Sequence, residues 1–392
     1  MKKFLVMAAL VVAAGYLVYH RLLPIWHKPA NVAKTRDAGP PANGGETKPP
    51  PALPLTDGLQ LVKDGKHAEA IPVLTGEIAE LEKKGSDDAA RHIAALARCY
   101  DATDKDDKAA EMWNRLIDRF PSSQEAVEGH SWLAHNALTD AERAKHHEIV
   151  LTSAGDSVEK HIAKMEEGLG KCDQPGKEYE AREALSRALA AGLPADKASI
   201  VKEAIGKLNE KLIWSRMKTP ESIDYTVVAG DTLNRIALEH KTTRGLLMRI
   251  NKLKNNRINP GNNFKLIPCD GCELRVSKTD LTLQLWLRGN FIKEYSVCVG
   301  DPDNAPTPED TFTVTGRMED PPWKGVPAGA PGNILGTRWM GFKEKPTYGV
   351  HGTTQPETIP GRKSAGCVRM LNSDVEEVYD FAIDGSKVII SP

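Results

Sequence analysis

The sequence predicts a multidomain α+β protein: an N-terminal membrane helix, an all-α region, a small βααβ unit and a C-terminal β-sandwich-like domain. Three observations predict it. At 392 residues the chain is too long for one core at roughly 150 residues per domain. The apolar period changes along the chain, from three- and four-residue spacing before Trp214 to alternation after Pro268. Between the first apolar run and the rest lies a Pro-rich stretch with almost nothing to bury.

Composition narrows the function classes. Lys plus Arg is 52 against Asp plus Glu at 53, a net charge of -1, and no long basic stretch interrupts that balance, so nucleic acid is excluded as a partner. Hydrophobic residues at 40% and charged residues at 27% exclude wholesale disorder and a polytopic membrane protein. Six Cys are too sparse for a disulfide scaffold, so each is judged where it stands.

Residues 1–28 read as a signal anchor or signal peptide. Lys2 and Lys3 precede the uncharged run Phe4 to Tyr19, then His20, Arg21 and a second apolar patch, Leu22 to Trp26. The run is short of the ~20 apolar residues that span a bilayer, though Arg21 extends it by snorkelling. Val12-Ala13-Ala14 offers a small-residue cleavage site, but apolar residues continue past it, which favours an uncleaved anchor and a membrane attachment. Residues 29–54, with Pro40-Pro41, Gly44-Gly45 and Pro49-Pro50-Pro51, form an extended linker.

From 55 to 218 the spacing is helical, as in Leu59 and Val62, then Ile93, Leu96 and Cys99-Tyr100. Gly65-Lys66-His67-Ala68-Glu69-Ala70 and Asp106-Asp107-Lys108-Ala109-Ala110-Glu111 occupy similar turn-into-helix places. They loosely resemble tetratricopeptide-like helix pairs, at a longer spacing than that repeat has. The region reads as a spacer or adaptor, with a protein partner left open. Glu178, Glu180 and Glu183 belong to its solvated faces.

Residues 224–268 change character. Asp224 to Val228 is a short strand, Gly230-Asp231-Thr232-Leu233 a turn that caps a helix, Thr243 to Asn251 a second helix, and Pro260-Gly261 a turn into the closing strand Phe264 to Ile267. With Ile236-Ala237 and Asn251 in place, the stretch resembles a LysM domain over its whole length. The resemblance implies a βααβ unit that holds the N-acetyl sugars of peptidoglycan or chitin.

After Pro268, Leu281, Leu283, Leu285 and Leu287 alternate with polar residues and Trp286, and Arg288-Gly289-Asn290 turns into Phe291 to Val299, a hairpin. Chemistry concentrates in residues 351 to 370. Cys367 follows Ser364-Ala365-Gly366, a small turn suited to expose a thiol and converge backbone N–H groups. A thiol of pKa near ~8.5 needs a base or cation beside it, and His351 supplies one. Such a pair forms thioesters with amide carbonyls and returns the proton to the departing amine. Arg369 is placed to fix a substrate carboxylate or to brace the turn.

This segment resembles the YkuD-type L,D-transpeptidases. Their pattern is met by His351-Gly352-Thr353, Ile359, Gly361 and Ser364-Ala365-Gly366-Cys367-Val368-Arg369-Met370, and the similarity covers 272–392. Glu309-Asp310 stand where the family has Gly, and Ala365 where many members carry His or Lys. The resemblance implies Cys367 as nucleophile, His351 as base, an oxyanion hole of backbone N–H groups around Gly366 and Cys367, and Ser364, Gly352 and Arg369 in the same site. It implies no metal and no cofactor, peptidoglycan as partner through stem peptides at the site and glycan at the LysM-like unit, and a place in the bacterial cell envelope outside the cytoplasm. The implied reaction is acyl transfer forming cross-links; hydrolysis of tetrapeptide stems by the same site, or a non-enzymatic scaffold, are the alternatives.

Three further expectations concern structure. Cys269 and Cys272 form a small disulfide at the junction. The Pro- and Gly-rich segment Thr313 to Lys345 caps the site. The LysM-like and catalytic segments are separate units by pattern.

Overall fold

The computed structural model describes residues 57–392 apart from residue 154. The apolar run Phe4 to Tyr19 and the linker 29–54 lie outside the described residues. Among the described residues no helix is long and apolar enough to cross a membrane. The chain divides into two compact units, one ending at Ala163 and one beginning at Lys164.

The first unit is helical. Its elements are α1 (Gly58–Lys63), α2 (His67–Lys83), α3 (Asp88–Ala102), α4 (Asp106–Arg119), α5 (Gln124–His135) and α6 (Asp140–Thr152). Ser123 and Thr139 cap α5 and α6 through their hydroxyls, as short polar side chains do at helix starts. Leu74, Ile78, Ile93, Leu96, Trp113 and Leu116 form its core. α7 (Val158–Lys171) carries the chain across the division.

In the second unit α8 (Glu178–Ala191) and α9 (Ala195–Leu212) precede a small two-stranded unit and a large sheet. The small unit is β1 (Ile223–Thr226), α10 (Leu233–Glu239), α11 (Arg244–Ile250) and β2 (Asn263–Leu266), with β1 antiparallel to β2. Thr232 and Thr243 cap the two helices. The Asp231 carboxylate accepts from the Tyr225 hydroxyl and the Val228 N–H, both at 2.8 Å. Asn251 ties the end of α11 to β2 by donating to the Lys265 carbonyl at 2.8 Å and accepting from its N–H at 2.9 Å.

The large sheet holds ten strands among the described residues, in the order β10-β6-β11-β9-β8-β7-β12-β3-β4-β5. These are β3 (Cys272–Ser277), β4 (Thr282–Leu287), β5 (Asn290–Ser296), β6 (Cys298–Gly300), β7 (Asp310–Glu319), β8 (Arg338–Phe342), β9 (Gly349–His351), β10 (Gly361–Ser364), β11 (Val368–Arg369) and β12 (Lys387–Ser391), with α12 (Asn372–Phe381) between the last two. The expected sandwich is instead one continuous curled sheet. The reason is β7, whose first half pairs with β12 and whose second half pairs with β8, with a register shift between Thr315 and Met318.

The expected independence of the two C-terminal segments does not hold. Leu246 and Ile250 of α11 belong to one buried cluster with Leu274, Val276, Phe312, Val375 and Phe381. Thr243 donates its hydroxyl to the Asp380 carbonyl at 2.5 Å, and the Arg249 guanidinium bonds the Asp380 carboxylate at 3.0 and 2.7 Å. Gly245 packs against Asp380, and a Cβ there would overlap the carboxylate unless it left its place beside Arg249. On the other flank the buried Lys265 ammonium donates to the Leu212 carbonyl at 2.5 Å, and burial pushes it down to about 8. Helices α8 and α9 cover the edge strand β5: Asn209 donates to the Ile292 carbonyl at 3.0 Å, and the Phe291 N–H donates to Ser186 Oγ at 3.1 Å.

Gly245→Val should therefore separate α11 from α12 and destabilise the second unit by roughly 2–4 kcal/mol. Calorimetry would register a lower or split transition. An unchanged single transition would mean that the small unit is not part of the same cooperative core.

Candidate active site

One row of side chains crosses the sheet. Register partners place Met318, Trp339, His351, Arg369, Cys298 and Gly361 opposite one another on β7, β8, β9, β11, β6 and β10. The neighbours on the opposite face, Met340, Val350, Val368 and Met370, are fully buried in the core. Cys367 lies in the bend just before β11, two residues before Arg369, with its thiol beside the Gly349 N–H and within reach of the Arg369 charge. The parallel pairing of β11 with β9 thus brings together Cys367, His351 and Arg369 from a span of nineteen residues.

The thiol is partly exposed and its sulfur lies 3.8 Å from the Thr347 carbonyl. Burial pushes the Cys367 thiol up, while the Gly349 N–H and the Arg369 guanidinium pull it back. His351 is 2% exposed. Its Nδ1 sits 2.6 Å from the Gly352 carbonyl, which only accepts, so Nδ1 carries the hydrogen and Nε2 keeps the lone pair a base needs. Burial pushes the imidazole down to about 4, and Arg369 adds to that, against the carbonyls of Gly352 and Leu335. The pair is therefore a neutral thiol and a neutral imidazole at neutral pH. No hydrogen bond joins them among the described residues, a separation common before substrate closes such a site.

The turn before Cys367 is braced by one side chain. Ser364 Oγ accepts from the Gly366 N–H at 3.1 Å and donates to the Cys367 carbonyl at 2.6 Å. This corrects the expectation that the Gly366 N–H lines an oxyanion hole, because its hydrogen is already committed. Gly366 contributes its conformation instead: its φ is +101°, and a Cβ would meet the Tyr348 ring at 2.5 Å. Arg369, 8% exposed, makes no hydrogen bond to the turn among the described residues; its Nη1 reaches Gln355 Oε1 at 3.4 Å and its Nε has no partner among them. Gly352 supplies the carbonyl that orients His351, and its own N–H donates to the Arg338 carbonyl at 3.1 Å.

Two other expectations change. Cys269 and Cys272 are free, buried thiols; Cys269 faces the Thr242 hydroxyl and the Asp380 carbonyl, and burial pushes it up to about 12. The expected cap Thr313 to Lys345 is largely strand, β7 up to Glu319 and β8 from Arg338 to Phe342, leaving 320–337 as its long loop. That loop is organised by Asn333, which is buried and donates to the carbonyls of Pro321, Val326 and Pro327 at 2.9, 3.2 and 3.2 Å. Asn372 Oδ1 then joins the end of the loop to the segment after His351, accepting from Thr337 N–H at 3.3 Å and Thr353 N–H at 3.0 Å. Neither Asn is marked by local sequence. Trp339 and Tyr348 were also missed, although the alternation Trp339-Met340-Gly341-Phe342 already separates two faces.

A family profile for the L,D-transpeptidase catalytic domain matches residues 273–390, and one for the LysM domain matches residues 225–266. The YkuD protein of Bacillus licheniformis is 31% identical over 43% of this chain and 98% of its own length. The YqjB protein of Bacillus subtilis is 40% identical over 30% of this chain and 69% of its own length. Both carry L,D-transpeptidase in their names. The catalytic domain of an L,D-transpeptidase from E. faecium is 22% identical and spans 31% of this chain and 96% of that one, at a TM-score of 0.27, too slight a superposition to bear on the reaction.

The electrostatics predict a pH profile. Because the His351 pKa is lowered, its base form persists from neutral pH down to about 4; because the Cys367 pKa is raised, thiolate accumulates only as pH climbs past the ordinary thiol range. Iodoacetamide alkylation of Cys367 should then rise about tenfold per pH unit from 6 to 8 without a plateau. A plateau beginning below pH 7 would reveal a preformed thiolate–imidazolium pair.

Proposed function

Because the chain belongs to the YkuD family of L,D-transpeptidases and carries a LysM domain, we propose that it is a cysteine acyltransferase that cross-links the third residues of two peptidoglycan stems. The observation that carries this reading is a partly exposed Cys367 thiol two residues before Arg369, the register partner of a buried imidazole whose Nδ1 faces the Gly352 carbonyl.

In the proposed mechanism a tetrapeptide stem lies across the row of side chains. Nε2 of His351 takes the thiol proton as Cys367 Sγ bonds to the carbonyl carbon of the third residue. The resulting oxyanion draws on the Cys367 N–H and neighbouring donors, since Gly366 N–H is held by Ser364. Collapse breaks the C–N bond to the terminal D-Ala, which leaves as an amine carrying the proton from His351, and a thioester remains. An acceptor amine then attacks that carbonyl, passes its proton through His351 to the departing sulfur, and the free thiol returns. Arg369, whose Nε has no partner and which pairs with no carboxylate among the described residues, is suited to a substrate carboxylate.

The LysM domain adds a second hold. Its loops 228–232 and 254–260 are largely exposed, and a glycan strand bound there would be presented in fixed relation to the site because α11 shares the core of the sheet. We extend the reading to the rest of the chain: a membrane anchor in 1–28, a stalk in 29–54, and a tetratricopeptide-like helical adaptor that takes a protein partner, all in the bacterial envelope outside the cytoplasm.

Transfer and hydrolysis differ only in which nucleophile reaches the thioester, and water is present at ~55 M, so transfer requires an acceptor held at higher effective molarity. With purified tetrapeptide muropeptides, mass analysis should find dimers as the main product and tripeptide as the minor one. Tripeptide alone at high muropeptide concentration would make the enzyme an L,D-carboxypeptidase. Cys367→Ala should abolish both products, and His351→Ala should slow acylation at least ~10²-fold. Unchanged products from Cys367→Ala would leave the chain a LysM scaffold whose activity came from a contaminant.

A further inference from the structure

The proposed reaction puts a positive charge on a buried imidazole, and the surroundings of His351 supply little to hold it. No carboxylate is among its partners in the described residues. The charged group facing it is Arg369 on β11, of the same sign, and the titratable one is the Cys367 thiol itself. The loop 320–337 offers the Leu335 carbonyl, and the segment after β9 offers the Gly352 carbonyl at 2.6 Å. From β8 comes Trp339, the register partner of His351, with its ring stacked at a centroid distance of 5.8 Å and an interplanar angle of 28°.

The sheet is built to hold that indole. Trp339 lies across Gly341 of its own strand and Gly349 of β9, its ring atoms 3.1 Å from where a Cβ would stand on either glycine. Gly341 and Gly349 are register partners, so both strands give up a side chain at the one place where the ring must pass. Met318 flanks the other side of Trp339 on β7. The ring is therefore confined between neighbours, and its distance to the imidazole lies within the ~6 Å over which an aromatic face attracts a cation.

We propose that Trp339 is a positioning residue for the base: it holds the plane of the His351 ring, and its π face stabilises the imidazolium while that ring carries the thiol proton. This rests on the reading of Cys367 and His351 as nucleophile and base. It assigns no contact between Trp339 and substrate.

The test uses the full chain and its Trp339→Phe and Trp339→Leu variants. Acylation of Cys367 by a carbapenem is followed by quenched-flow mass analysis across pH 3.5 to 8, and the His351 ring is titrated by NMR of histidine-labelled protein. Trp339→Leu should acylate roughly tenfold more slowly, the worth of a partly desolvated cation–π contact, and Trp339→Phe should recover most of that loss. The direction of the acid limb separates this role from simple packing. Loss of a π face that favours the charged ring lowers the His351 pKa, so the limb and the NMR midpoint move to lower pH. Loosened packing admits water and moves both up toward the ordinary imidazole range. A wild-type rate in Trp339→Leu, or a midpoint that rises, would overturn the proposal. Absence of any adduct on wild-type Cys367 would sink the reading of the nucleophile instead, and the NMR midpoints of the three proteins would still decide the role of Trp339.

Discussion

Everything at the site depends on a strand of two residues. Val368 and Arg369 are wedged between β9, to which they run parallel, and β6, to which they run antiparallel. The Met370 N–H closes the wedge by donating to the His351 carbonyl at 2.9 Å. A parallel pair so close in sequence needs a return path, which β10 and the short turn Pro356–Thr358 provide. Because strand side chains alternate, a slip of one residue would turn Arg369 into the core and Val368 out of it, and would carry Cys367 away from its place before them. Complete burial of Val350, Val368 and Met370 on the far face is what forbids the slip. Hydrophobic burial thus sets the register, and the register sets the chemistry.

The same burial decides how the thiol is activated. A solvated imidazole beside a thiol would favour an ion pair, but at 2% exposure His351 favours its neutral form, and the Arg369 charge reinforces that preference. The site therefore stores a base rather than a thiolate. In the proposed mechanism proton transfer waits until a carbonyl is in place to receive the sulfur, which limits oxidation and stray alkylation of a partly exposed thiol. In that mechanism the cost falls on a transient imidazolium, which among the described residues has carbonyls and an aromatic face but no carboxylate to hold it.

Much of this was legible in the chain itself. Gly230-Asp231-Thr232 and Ser364-Ala365-Gly366-Cys367 are local devices, a capped turn and a braced turn, and local devices leave local marks. The alternation of Leu283, Leu285 and Leu287 marks its hairpin in the same way. What escaped is what depends on distant pairing. The role of β7 as a shared strand follows from two different partners on its two halves, and nothing in Asp310–Glu319 announces either. Asn333 and Asn372 act through carbonyls and N–H groups of loops far away in sequence. The docking of α11 on α12 turns on Gly245, which in sequence reads as one more helical glycine. The commitment of the Gly366 N–H to Ser364 likewise required knowing where one hydroxyl points.

Catalysis as proposed requires a covalent intermediate formed by a neutral pair. Rapid-quench trapping of the full chain with a tetrapeptide muropeptide, followed by intact-mass analysis and peptide mapping, tests it most directly. The expected result is an adduct of the donor less its terminal D-Ala, mapped to Cys367, formed at a rate that holds steady from pH 7 down to 5. An adduct on another residue, or one whose formation falls away as an ordinary imidazole is protonated near pH 6.5, would contradict it.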